Sequence, residues 1–218
     1  MKKLLFWMVL IVGTVVLLGS CAKKEESTTA SSGTFTGTTT AAGSITVGSE
    51  TLSGTYVSPC NSEALIATTA SAGNLPSDTV AMRDVLVVTS DTSISEETHG
   101  YTDTTCSTLS VYSKNGWDNF TVGDASGEFL KVTYKETGFK IKAGTTVAET
   151  YYENYFSTNG ITASGTTIDL VVGTEYDVGG SGSSYMNLFY VNSTIARHGE
   201  GSTSSYPTAM DSLEMAKQ

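Results

Sequence analysis

Few residues in this chain combine a reactive type with the spacing that chemistry needs. Cys60 and Cys106 form an even pair, and in an oxidising compartment such a pair reads as a disulfide. Metal binding is the competing use of two cysteines. The pair is widely separated and His99 and His198 are the only histidines, so zinc-site spacing is missing. A nucleophilic serine needs a base and an orienting group, and no Gly-x-Ser-x-Gly elbow occurs. His99, beside Gly100-Tyr101, and His198, within Arg197-His198-Gly199-Glu200, read as exposed turn residues rather than bases. Glu96-Glu97 and Glu149/Glu153 are the carboxylate pairs that could share acid–base work. Asp124 to Glu128 hints at calcium but lacks the full ligand ladder of a calcium loop. The chain is therefore expected not to be an enzyme, with no catalytic residues, no metal site and no cofactor.

The elements that would position these residues read as all-β. Phe139-Lys140-Ile141-Lys142 alternates apolar and charged residues, and Leu130, Val132 and Tyr134 share one strand face. Ile168, Leu170 and Val172 line a face, as do Met186, Leu188 and Tyr190. Val85 to Val88 and Tyr151 to Phe156 are further strand candidates. Turn residues punctuate them at Asp124–Gly127, Thr137-Gly138, Asn159-Gly160 and Gly179–Ser184. The stretch Glu63 to Ala72 is the place for a short helix, and no segment shows a long period of 3.6. Many short strands fit a sandwich or a closed barrel.

The N-terminus gives an address. Met1-Lys2-Lys3 precedes an apolar run from Leu4 to Leu18, then Gly19-Ser20-Cys21. The run is shorter than the roughly 20 residues that span a bilayer. The segment resembles the bacterial lipoprotein signal, with Leu18-Gly19-Ser20-Cys21 in the place of its lipobox. The resemblance implies that residues 1–20 are removed and that Cys21 carries lipid, anchoring the chain to a membrane rather than spanning it. Residues 21–45 then read as a disordered tether of Ser, Thr, Gly and Ala with Phe35 as its one large apolar residue before Ile45. Such a coil reaches roughly 25–30 Å on average. Lys24-Glu25-Glu26 resembles a Lys-acidic-acidic surface-sorting signal, one residue late, but reads more simply as a solvated charge cluster at the start of a linker. Ala22 is compatible with outer-membrane sorting, on either face. The formal charge of −10 becomes −12 once Lys2 and Lys3 leave. That acidity argues against nucleic acid as a partner.

Residues 46–218 carry a second resemblance. Gly54-Thr55-Tyr56, Tyr101-Thr-Asp103-Thr-Thr-Cys106, Leu188-Phe189-Tyr190 and Tyr206-Pro207-Thr208 resemble the Gly-x-Trp, Tyr-x-Asp-x-x-Cys and Arg-Pro-Thr elements of bacterial lipocalin-like secreted domains. Tyr56 stands for the usual Trp and Tyr206 for the usual Arg, so a Tyr–Tyr contact would have to replace theirs. The resemblance implies an antiparallel lipocalin-like barrel of about eight strands, which encloses a small ligand or fills with side chains. In a cavity, Tyr134, Phe139, Tyr152, Leu188 and Tyr190 are the expected ligand-binding residues. Two functions follow: a binding module for a small hydrophobic or amphipathic ligand, or a filled barrel that binds a protein partner through loops. Ser181-Gly-Ser-Ser-Tyr185 is faintly similar to the Ser-Gly-x-x-Tyr loop of lysozyme-inhibitor lipoproteins.

Overall fold

A computed structural model of the protein describes residues 35–208, 210 and 213–218. Cys21 and the signal-like segment lie outside the described residues. The chain opens with a hairpin, β1 (Ser44–Val47) and β2 (Glu50–Ser53), and continues through β3 (Thr55–Val57), α1 (Ala64–Ser71), β4 (Ala81–Val88), β5 (Ile94–Tyr101), β6 (Leu109–Ser126) and β7 (Phe129–Ala143). Then come α2 (Thr146–Asn159), a small hairpin of β8 (Thr162–Ala163) and β9 (Thr166–Thr167), β10 (Glu175–Asp177), β11 (Ser184–Val191), β12 (Ile195–His198) and β13 (Met215–Lys217).

Eight strands close into one antiparallel barrel. β3, β4, β5, β6, β7, β11, β12 and β13 each pair with the next, and β13 pairs back onto β3. This up-and-down order is the lipocalin-like barrel that the second resemblance implied. Closure leaves few backbone groups on free edges. The two ends differ. The β4–β5, β6–β7 and β11–β12 turns lie at one end, where Ile45, Val47 and Leu52 of the first hairpin pack into the barrel core and plug it. The other end carries the long connections with α1 and α2. There the Cys60–Cys106 disulfide ties the β3–β4 connection to the β5–β6 connection.

In the plugged half, strand alternation gathers the inward residues of all eight barrel strands into one apolar cluster. Tyr56, Leu86, Val88, Ile94, Trp117, Phe120, Val132, Tyr134, Tyr185, Phe189, Val191, Ala196 and Met215 belong to it. Residues 139–142 and 130–134 alternate as their sequence requires, with Phe139 and Ile141 inward after a bulge between Gly116 and Trp117 shifts the register.

Three local expectations are corrected. Tyr151 to Phe156 is helix, not strand. Thr145 accepts a hydrogen bond from the Ala148 amide at 3.1 Å and Gly160 ends the helix at φ 65°. Ala148, Tyr152 and Phe156, four residues apart, form the face that α2 packs on Val111, Ile141 and Ala143. Ile168 and Leu170 are buried, but in extended loop rather than strand, and Val172 is exposed. Among the described residues the aromatic pairs do not include Tyr56–Tyr206. Lys217 Nζ lies 5.6 Å over the Tyr56 ring, and Lys131 Nζ lies 5.2 Å over that of Tyr206.

The supposed tether also changes character. From Phe35 on it is a strap laid along the outer wall of β4 and β5 in the direction of β4. Phe35 packs on Val57, Val85 and Val87, and the Ala42 amide bonds the Val88 carbonyl at 2.8 Å. Gly37 fits because it has no side chain. Its φ is 72° and a Cβ there would lie 2.6 Å from Glu97 Oε2. Gly37→Ala is expected to cost about 1–2 kcal/mol from left-handed strain alone. Thermal melts would show it, and an unchanged midpoint would mean that the strap does not sit this closely.

Candidate functional site

Strand β5 separates the two sides of the wall. Neighbouring residues on a strand point to opposite faces, so Glu96 and Thr98 face inward while Glu97 and His99 face outward. The pair Glu96-Glu97 therefore cannot act as one acid–base unit. The usual burial pattern is also reversed. Outward Glu97 and His99 are buried beneath the strap, whereas the side chain of inward Glu96 is 21% exposed. An inward residue of a plugged barrel keeps exposure only where the interior is open. Thr98, Asp84, Ser113, Asn115 and Phe139 share this inner face through direct strand pairing, and each is partly exposed. On its β4–β6 side the helical half of the barrel is thus a polar cup above an aromatic floor, while α2 covers Val111, Ile141 and Ala143 of the same inner face.

The floor is packed. Trp117 lies 4.8 Å from Tyr134 and 5.1 Å from Tyr185, centroid to centroid, and Phe120 and Phe189 surround Tyr134. Aromatic pairs of this kind are worth about 0.5–1.5 kcal/mol each beyond area burial. The Tyr134 hydroxyl accepts from Asn187 Nδ2 at 2.8 Å, and the backbone at Gly201 passes close above it. Burial, and then the charge of Glu96, hold the Tyr134 hydroxyl well above the ordinary tyrosine range. Burial, with a smaller push from Glu136, takes Tyr185 up to about 12.

Glu96 stands where floor meets cup. Its Oε2 accepts from Trp117 Nε1 at 2.9 Å. Its Oε1 is a buried atom without a hydrogen bond and lies 3.7 Å from His198 Nε2. His198 is on β12, not in a turn, and stacks on Phe189 with centroids 5.4 Å apart. Thr98 donates to Asp84 Oδ1 at 2.8 Å, and Glu136 takes the Ser181 hydroxyl and amide. The arrangement can hold a polar group near Glu96 and an apolar one against the rings. No cluster of three or more His, Cys, Asp or Glu suited to a metal occurs among the described residues.

The structure divides the expected ligand residues. Tyr134 lies in the floor and Phe139 on the inner wall, and Tyr152 reaches the Phe139 side from α2. Leu188 and Tyr190 do not join them. Residues Tyr185, Asn187, Phe189 and Val191 of β11 point inward, so Leu188 and Tyr190 face the other way. Tyr185 is likewise no loop residue: it is 2% exposed within the barrel, which removes the likeness to a Ser-Gly-x-x-Tyr binding loop. Glu96 and His198 were visible in the sequence only as an acidic pair member and a turn histidine. The signal that could have placed Glu96 was its even spacing with Ile94 and Thr98. Compared with known protein families and with curated proteins, the chain matches no family model and no curated sequence.

Proposed function

We propose that the chain is a lipoprotein of the bacterial cell envelope, anchored through Cys21, whose barrel is a non-catalytic binding module for a small amphipathic ligand. The observation that carries this reading is the inward yet exposed pair Glu96 and His198 above the Trp117–Tyr134–Tyr185 floor. Ligand sites are mostly apolar concavities with a few polar groups that fix orientation, and the cup has that make-up. Phe139 and Tyr152 supply apolar contact from the wall and from α2. The envelope address rests on the lipobox-like segment and agrees with a disulfide-bonded domain.

A second reading draws on the plugged half, which is filled with side chains. In it the barrel is solid and a protein partner binds outside. Native mass spectrometry of a soluble Cys21→Ser chain, taken gently from a periplasm, separates the two. A small molecule released on denaturation, and lost in Glu96→Gln with the fold intact, is the expected result. A bare mass that gains nothing from a panel of amphiphiles would overturn the binding reading in favour of the filled barrel.

A further inference from the structure

The two ends of the barrel present different surfaces. The plugged end is built of polar turns, Thr89–Ser93, Gly127-Glu128 and Asn192–Thr194. The helical end bears all three large apolar residues that stay exposed among the described residues: Val147 at 41%, Val171 at 55% and Val172 at 39%. They are close together, because the Gly173 amide bonds the Ala143 carbonyl at 2.8 Å and brings Val171-Val172 beside the start of α2. Val147 also lines an open groove of about 500 Å³ between the two helices, together with Leu75, Ala70 and Tyr151. Single exposed valines need no explanation, but three at one tip beside an apolar groove form a patch.

The strap says what covers it. It runs from Phe35, which packs on His99 with ring centroids 5.1 Å apart and lies under the Arg83 guanidinium at 5.0 Å, to Ala42 at Val88. Traced backward, the chain therefore heads along β4 toward its start, which is the helical end. Only residues 22–34 separate Cys21 from Phe35, and a flexible span of that length averages roughly 20 Å, less than the roughly 26 Å of an eight-residue strand such as β4. From these two facts we infer that the helical end of the barrel faces the lipid surface in which the chain is anchored, with Val147, Val171 and Val172 against the headgroup boundary. This rests on the lipid-anchor reading of Cys21. It places the mouth of the cup toward the membrane. The tip carries Glu149 and Asp169 nearby, so a zwitterionic surface suits it better than an anionic one.

The test uses the full lipidated chain on phosphatidylcholine vesicles, with tryptophan placed at either end. Val171→Trp reports the helical end and Ser193→Trp the plugged end, both at exposed positions, against the buried Trp117 of the parent chain. Flotation first shows that the chain is on the vesicles. Brominated phosphatidylcholine is then expected to remove most of the added emission of Val171→Trp and leave that of Ser193→Trp. Equal quenching at both ends, stronger quenching at Ser193→Trp, or none at either would overturn the orientation while leaving the anchor in place. A chain that does not float with vesicles lacks the anchor, and the orientation falls with it.

Discussion

Replacing Cys60 and Cys106 together with serine is expected to remove about 4 kcal/mol of stability, the chain-entropy value for closing a loop of this length. The residues are 46 apart in sequence with Cα atoms at 5.9 Å. The bridge matters because of where it lies. At the plugged end the barrel is held by the β1–β2 hairpin and its apolar residues, whereas the disulfide joins two of the connections at the helical end. Cys106 is also preset by its own loop. The Asp103 carboxylate accepts from the Thr105, Ser107 and Thr108 amides, which folds Tyr101–Cys106 into a turn and places Cys106 at φ 54°. The hydrogen bond from the Thr105 hydroxyl, ahead of the cost of burial, brings the Asp103 carboxyl below its ordinary range. Urea unfolding of parent and double variant under oxidising conditions measures the loss. A difference under 1 kcal/mol would show that the unfolded chain is already constrained, since the native geometry requires no rearrangement to form the bond.

Glu97→Ala is expected to cost about 3 kcal/mol at neutral pH and to loosen the strap. Burial pushes the Glu97 carboxyl up, but hydrogen bonds from His99, Thr39 and Thr38 outweigh it and bring it down from 4.5 to about 2. The Thr38 amide donates at 2.9 Å, the Thr38 hydroxyl at 2.9 Å, and His99 Nε2 at 2.9 Å. An acid whose pKa falls on folding adds stability above its unfolded value. That contribution is complete above about pH 5 and is lost as the pH drops through 4.5 toward 2. The size follows from the shift at about 1.4 kcal/mol per unit. The parent should therefore lose stability over this acid window more steeply than Glu97→Ala. Parallel pH profiles for both would refute the assignment. Hydrogen exchange at the Thr38 and Ala42 amides, faster in the variant than in the parent, would locate the change in the strap rather than in the barrel.

Much of the barrel was legible because its strands obey a period of two. Leu130, Val132 and Tyr134, or Phe139 and Ile141, can bury one face only as strands, and their pairing follows. The cysteine pair was legible for another reason, since its use depends on compartment and count more than on neighbours. The misreadings have physical causes. Tyr151 to Phe156 has the aromatic content of a strand, and only its cap Thr145, its stop Gly160 and the spacing Ala148–Tyr152–Phe156 reveal a helix. Leu188 and Tyr190 were grouped with each other correctly but placed on the wrong side, because alternation says which residues share a face and not which face is inner. Glu97 and His99 look like a solvent-facing pair. They are buried by residues some sixty positions earlier, and no local pattern carries that information.

The strap also governs how force enters the molecule. A pull on the N-terminus along the barrel axis acts parallel to β4, so Phe35, Thr38 and Thr39 resist it together, in shear, rather than one after another. The β1–β2 hairpin lies downstream of that grip and carries no load until the strap slips. Tension applied at the N-terminus is thus taken up first on the outer wall, before it reaches the plugged half of the barrel.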